Sequence, residues 1–370
     1  MKAQQVQLSE GTRVGWLVLD DAYLPIRPIC SYLKFRSGYR EPATVRREAY
    51  HLKLFWDYLL DKGLDWRDVD IERLAGFIDW LRDPAFSVEH REAKRMDATI
   101  DLALAAVHEF YNFHSRLAGG ADLALYQFIM HPRPHYKPLL YGIAKAKPTR
   151  ERLLKVKGER HLPKTLSGEQ IASVKRACSH VRDELLVALL HDTGMRIGEC
   201  LGLRHEDVKV EGGEIRIVPR HDNANGARVK SGKVRSVFPS RQVLDLYIRY
   251  VIEELNGLES DSLPDFVFVN LWGGEIGRPM DYDAVRSLYR RLQRRTLRQA
   301  GSAVPFTPHK LRHSFATETI KAGVSLPTVS RLLGHSSIQT TVDIYHHADD
   351  EDVRAELQAA RKGERTQHAP

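Results

Sequence analysis

The sequence predicts a mainly α-helical chain with a small β-sheet or hairpin, divided into a helical N-terminal domain and an α+β C-terminal domain. Three observations predict it. Apolar residues recur at helical spacing through the first third of the chain, period-two alternation is confined to short stretches between 214 and 269, and a proline- and lysine-rich segment at 131–164 lies between the two regions.

Residues 1–24 read as an N-terminal extension. Behind Pro42, the residues Val45, Ala49, Leu52, Phe55, Trp56 and Leu59 follow at helical spacing and stop at Lys62-Gly63. Ile71, Leu74, Phe77, Ile78 and Leu81 repeat the pattern, and a third long helix is expected over 89–117, before Gly119-Gly120. Together these make a helical domain over 25–130. Segment 131–164 carries Pro132, Pro134, Pro138, Pro148 and Pro163 among many Lys and Arg, the composition of an exposed linker. In the second domain, 165–347, Ser167 and Gln170 form a capping-box signature and 181–191 supplies another helix. Residues 214–218 and 228–238 then alternate around a polar turn, and Phe266-Val267-Phe268-Val269 reads as a further strand. Helices return with Val285, Leu288 and Leu292 on one face and Arg286, Arg290, Arg294 and Arg298 on another. Residues 348–370 form a C-terminal tail.

Charge narrows the function. The chain has 370 residues and a net charge of +8, with an isoelectric point near 9.3, which favours a polyanionic partner. Windows 145–164 and 285–300 carry +6 each, so together they exceed the whole, and the remainder is slightly acidic. No run of about 18 apolar residues occurs and the first ten residues are polar, so neither a membrane span nor a secretory signal is expected and the chain is placed in the cytoplasm. Cys30, Cys178 and Cys200 are odd in number and far apart, which argues for core thiols rather than a disulfide framework or zinc ribbon.

Four segments hold polar residues that a simple helix or turn would not need. They are Asp192-Thr193-Gly194-Met195-Arg196-Ile197-Gly198-Glu199, the basic hairpin Val229-Lys230-Ser231-Gly232-Lys233-Val234-Arg235, the helix opening Thr307-Pro308-His309-Lys310-Leu311-Arg312-His313, and Leu332-Leu333-Gly334-His335 with Tyr345 ten residues on. Singly, each is also compatible with a helix stop, a solvated edge or an idle surface residue. In this order they resemble the tyrosine recombinase (lambda integrase, phage integrase) family, including its Leu311-Arg312-His313-Ser314-Phe315-Ala316-Thr317 and Leu332-Leu333-Gly334-His335-Ser336-Ser337-Ile338-Gln339-Thr340-Thr341 strings. The likeness covers roughly 162–347. It implies Arg196, Lys230, His309, Arg312, His335 and nucleophilic Tyr345 as catalytic residues, and a SAM-like core-binding domain in the helical N-terminal region. The extended N-terminus through Tyr32-Leu33-Lys34-Phe35 resembles transposon-borne members more than chromosome-resolving ones.

The residue types suit that chemistry. Phosphodiester cleavage needs a nucleophile, charge neutralisation at the non-bridging oxygens and a proton for the departing 5′ oxygen. Arg196 and Arg312 present planar donor forks that stay charged. His309 and His335 can donate to phosphate or take the Tyr345 proton, which a reference pKa of about 10 otherwise retains at neutral pH. Lys230 reads as the general acid, with Lys233 its rival, and the resemblance alone favours Lys230. Glu199 either braces Arg196, as the family's acidic position does, or caps locally. His347 matches a familiar neighbour of the nucleophile. No carboxylate cluster suggests a two-metal nuclease, and His335, His346 and His347 lack a matched fourth zinc ligand, so no metal or other cofactor is expected.

Arg286, Arg290, Arg294 and Arg298, with Lys155 and Lys157 of the linker, are candidate DNA contacts. The resemblance implies a clamp on double-stranded DNA and a homotetramer on two sites, with accessory proteins setting direction in some members; the tail either docks on a neighbouring protomer or is disordered. The reading is a site-specific recombinase working through a 3′-phosphotyrosyl intermediate and a Holliday junction without ATP. Its rivals are a type IB topoisomerase and a silent DNA-binding regulator.

Overall fold

In a computed structural model the chain divides into two units, Met1–Arg160 and His161–Pro370. The structure describes residues 1–7, 14–83, 96–117, 125–129, 149–157, 165–220, 222–229, 232–258, 264–301 and 303–334.

The first unit opens on an antiparallel hairpin of β1 (Lys2–Gln7) and β2 (Val14–Leu19), with Lys2 opposite Leu19. Trp16 and Val18 of β2 are buried in the unit's core, so the extension is part of the fold rather than an appendage. Helices α1 (Arg27–Ser37), α2 (Pro42–Lys62), α3 (Ile71–Arg82) and α4 (Asp97–His114) follow. Pro42 pre-sets the first turn of α2, left-handed Gly63 closes it, and Asp70 caps α3 by accepting from the Arg73 amide. The third long helix starts later than expected: Met96 is extended and precedes Asp97, and 84–95 lie outside the described residues. Aromatic side chains dominate the interior, with Phe55, Phe77, Phe110 and Tyr111 fully buried in edge-to-face contacts.

Part of the expected linker is ordered. β4 (Thr149–Arg152) pairs antiparallel with β3 (Tyr126–Ile129). Residues 149–157 lack proline, and Leu154 and Val156 pack on the first core while Lys155 and Lys157 alternate with them on the exposed side. Arg152 donates to the Asp101 carboxylate at 2.8 Å, which ties the strand to α4.

The second unit contains α5 (Gly168–Arg176), α6 (Val181–Thr193), α7 (Ile197–Leu201), α8 (Arg241–Tyr250), α9 (Tyr282–Ala300), α10 (Pro308–Lys321) and α11 (Leu326–Leu333). The Ser167–Gln170 capping box is present as read. A three-stranded antiparallel sheet runs β5 (Val208–Lys209), β6 (Glu214–Ile217), β7 (Arg235–Val237). It is smaller than the alternation suggested. Strand pairing in the second arm begins only at Arg235, opposite Ile217, and 228–234 holds no regular strand among its described residues. Val267, Phe268 and Val269 are fully buried, but the run makes isolated bridges, Arg204 to Phe266 and Val269 to Pro279, rather than the expected strand. Four consecutive apolar residues signal burial more strongly than they signal a ladder. The fold is thus mainly α with small β elements.

Candidate active site

Gly194 ends α6 with φ at +62°, and the turn brings Arg196 to the N-cap of α7. A side chain at Gly194 would meet Phe315 at 2.3 Å and Leu333 at 2.8 Å, so both space and backbone demand glycine here. The Arg196 amide donates to Glu199 Oε2 at 2.8 Å and its Nη1 to Oε1 at 3.0 Å, so Glu199 both caps the helix and braces the guanidinium. The Glu199 side chain has no exposed surface. Burial pushes its carboxyl upward, but the bidentate Arg235 and the nearby Arg196 outweigh that and hold it below the ordinary glutamate value.

Arg312 arrives from α10, where the Thr307 hydroxyl accepts from the Lys310 amide and Pro308 occupies the first turn. Three residues apart on one helix, His309 and Arg312 point to the same region. The Arg312 side chain is buried, and it donates from Nη1 to Gly194 O and from Nη2 to Leu333 O, both at 2.7 Å. Burial and the Arg196 charge press its guanidinium down to about 9, which leaves it protonated at neutral pH. Arg196 converges on the same place, donating to Leu333 O at 3.3 Å and Gly334 O at 3.1 Å. The carbonyl end of α11, the negative pole of that helix, is what allows two guanidiniums to stand together.

His309 Nε2 is 2.8 Å from His313 Nε2, the rings meeting edge-on at 4.2 Å. Burial first, then Arg312 and Arg196, lower the His309 pKa; burial, His309 and Arg312 hold His313 at about 4. Both rings are neutral at pH 7, and the hydrogen bond leaves the pair able to take up a proton.

Arg196, Lys233, Arg235, His309 and Arg312 line one open cleft of about 1560 Å³, together with Arg216 and Arg331. No carboxylate lines it among the described residues. A cleft bounded by cations and the neutral His309 imidazole is built for a polyanion. Lys230, His335, Tyr345 and His347 lie outside the described residues; in the chain, His335 directly follows Gly334 at the cleft edge. Arg286, Arg290, Arg294 and Arg298 are exposed on α9, whose buried face is Val285, Leu288 and Leu292, and Arg286 pairs with Asp283 at 2.6 Å. Lys155 and Lys157 are exposed in the first unit. Sequence reasoning missed Arg216, Arg235, His313 and Arg331. Arg235 stood in the basic 229–235 segment, with no spacing signal to set it apart.

The model of the phage integrase family matches residues 164–352, and the chain belongs to that family. Transposase A from transposon Tn554 of Staphylococcus aureus is 32% identical over 363 residues, covering 96% of this chain and 97% of that protein. Tyrosine recombinase XerD of Corynebacterium glutamicum is 30% identical over 203 residues, 53% of this chain and 60% of that protein. Among solved structures, the Tn1549 transposon integrase in complex with a circular intermediate DNA shares the fold with a TM-score of 0.62 at 16% identity, over 90% of this chain and 98% of that one. The XerH recombinase bound to palindromic difH substrate shares it with a TM-score of 0.57 at 20% identity, over 90% and 84%. The chain is a tyrosine recombinase, a site-specific recombination enzyme, and the topoisomerase alternative is not favoured. No described helix is long and apolar enough to cross a membrane.

Proposed function

We propose that the cleft holds a scissile phosphodiester of double-stranded DNA, and that Tyr345 attacks its phosphorus to leave a 3′-phosphotyrosyl bond and a free 5′-hydroxyl. What supports this is the convergence of Arg196 and Arg312 on Leu333 O, beside His309, in a cleft without carboxylates. The two guanidiniums bind the non-bridging oxygens and stabilise the charge that grows there. The P–O5′ bond breaks as the P–Oη bond forms. Lys230, or its rival Lys233, gives the departing oxygen its proton, and neutral His309 takes the Tyr345 proton. His335 donates to phosphate and His347 supports the nucleophile.

The bond energy stored in the phosphotyrosyl link lets another 5′-hydroxyl attack in reverse, so strands exchange through a Holliday junction with no ATP. Domain 25–130, linker 131–164 with Lys155 and Lys157, and the arginines of α9 contact the duplex, with 165–347 as the catalytic domain. Four copies assemble on two sites in the cytoplasm, at the nucleoid, with accessory proteins setting direction.

The test is nicked suicide duplexes tiled from DNA flanking the protein's own gene, incubated in EDTA and run on a denaturing gel beside Tyr345→Phe. A covalent adduct in wild type and not in the variant is expected. An adduct formed by Tyr345→Phe overturns the nucleophile assignment, and salt-sensitive binding with no wild-type adduct favours a binding-only protein.

A further inference from the structure

Arg235 is the third guanidinium at the end of α11, and it is used differently from the other two. Each of its nitrogens already donates: Nη1 to Glu199 Oε1 at 2.9 Å, Nη2 to Glu199 Oε2 at 2.6 Å, and Nε to Leu332 O at 3.0 Å. Arg312 gives both Nη atoms to backbone carbonyls and Arg196 shares only Nη1 with Glu199, whereas Arg235 commits both Nη atoms to that one buried carboxylate. A phosphate in the cleft would have to displace a buried bidentate carboxylate to reach it, so Arg235 is poorly placed to bind substrate.

Its position in the chain says what it does instead. Arg235 is the first paired residue of β7, opposite Ile217, and the residues before it, which carry Lys233 and Lys230, hold no regular strand where they are described. A ladder of three residue pairs is a short anchor for that arm. Arg235 adds two more at its base: α7 through Glu199, and the end of α11 through Leu332. The second contact is close-fitting. Gly334 has φ at +63°, and a Cβ there would lie 2.9 Å from Arg235 Cζ, so the guanidinium rests on bare backbone one residue before His335.

We infer that Arg235 is a positioning residue, a clamp that fastens the base of the lysine-bearing hairpin to α7 and α11 and so holds the general-acid lysine in register with the arginine pair. The inference rests on the proposed assignment of a hairpin lysine as general acid. A residue that merely neutralised Glu199 would act on the arginines and hence on phosphate charge. A clamp on the hairpin acts on the leaving group.

The two are separated by changing the leaving group. Full-length protein is given a suicide duplex whose scissile 5′ oxygen is either retained or replaced by sulfur; the 5′-thiolate leaves without a proton, which makes the general acid dispensable. Arg235→Met is expected to form adduct about 100-fold more slowly than wild type on the oxygen substrate, the scale of lost general-acid catalysis. On the sulfur substrate it returns to within about threefold of wild type, as Lys230→Ala does, whereas Arg312→Gln stays slow on both. Arg235→Lys keeps the charge and loses the fork, and is expected to be intermediate on oxygen and rescued by sulfur; it decides the matter if thermal melting shows that the Met variant does not fold. A rate equally slow on both substrates overturns the clamp. No adduct from wild type on either substrate overturns the proposed function and the clamp with it, while a wild-type adduct without sulfur rescue of the Arg235 variants overturns the clamp alone.

Discussion

Each unit of this protein buries arginine against glutamate, and the two sites are built to opposite ends. In the first unit, Arg36 donates from Nε to Glu48 Oε2 at 3.0 Å and from Nη2 to Oε1, while Tyr32 donates to the same carboxylate and Arg36 Nη1 reaches Tyr39. One buried cation meets one buried anion among packed aromatic rings, with the more exposed Glu109 carboxylate 3.6 Å from Arg36 Nη1. In the second unit, Arg196, Arg235 and Arg312 surround Glu199 alone, and the excess charge is carried by the backbone carbonyls of Gly194, Leu332, Leu333 and Gly334 beside an open cleft. Balanced, enclosed charge marks a structural pair; a positive surplus stabilised by dipoles and opened to solvent marks a place where an anion is meant to arrive.

The contrast can be broken in order of expected effect. Arg36→Met strands Glu48 without its cation, and should cost about 3–5 kcal/mol of stability. Urea unfolding followed by tryptophan fluorescence reads it, since four of the five tryptophans, Trp16, Trp56, Trp66 and Trp80, belong to that unit. A loss below about 1 kcal/mol would make the pair ornamental. Arg196→Met should do the reverse. Its removal relieves repulsion in the surplus cluster while Arg235 still holds Glu199, so the melting temperature should barely move; adduct formation on a suicide duplex should fall roughly 10²–10³-fold, the scale of one lost oxyanion donor. A large loss of stability with activity retained would reverse the two sites' roles.

Acid should weaken the first unit. His51 and His108 are buried, no hydrogen-bond partner of their ring nitrogens is seen, and desolvation above all holds both at about 4. Between that value and the free-histidine value of 6.5, the unfolded chain binds protons that the folded chain refuses. Stability is therefore retained above the upper value and falls as pH drops through the window, by at most about 1.4 kcal/mol per pH unit for each ring. Urea midpoints at pH 7 and pH 5 by the same fluorescence should shift down for wild type and less for His108→Gln. An identical shift would clear His108 of the effect. The smallest change belongs to the exposed arginines of α9: Arg294→Gln should weaken DNA binding several-fold and reduce the slope of log affinity against log salt by about 0.9, leaving the adduct rate at saturating DNA unchanged. An unaltered slope would take Arg294 off the DNA.

Much of this was legible before the structure. Pro42, Gly63 and the Ser167–Gln170 box announce helix ends through local backbone geometry, and each is found there. What misled was context. Phe266 to Val269 reads as a strand because β-rich apolar runs usually pair, yet its backbone finds isolated bridges. The 149–157 stretch reads as linker because prolines flank it, yet Leu154 and Val156 draw it onto a core. The N-terminal hairpin lacks alternation, β1 being mostly polar and β2 a nearly continuous apolar run, and Trp16 and Val18 declare themselves only by burial. At the site, Arg196, His309 and Arg312 were readable from motif and spacing. Arg235 was visible as one more basic residue in a basic hairpin, with nothing local to distinguish a clamp from a solvated charge.

By itself, then, the sequence placed α2, α3, α5, α6, α9 and α10, marked the stop of α2, and nominated side chains for phosphoryl transfer, because propensity, capping and motif spacing act over a few residues. Tertiary structure decided that Arg196 meets the carbonyl of a residue 138 positions away, that Arg235 meets one 97 away, and that Arg312 reaches back 118 residues to Gly194. Such contacts cost chain entropy to assemble, and they form because α10 packs against both α6 and α11, not because any local preference asks for them.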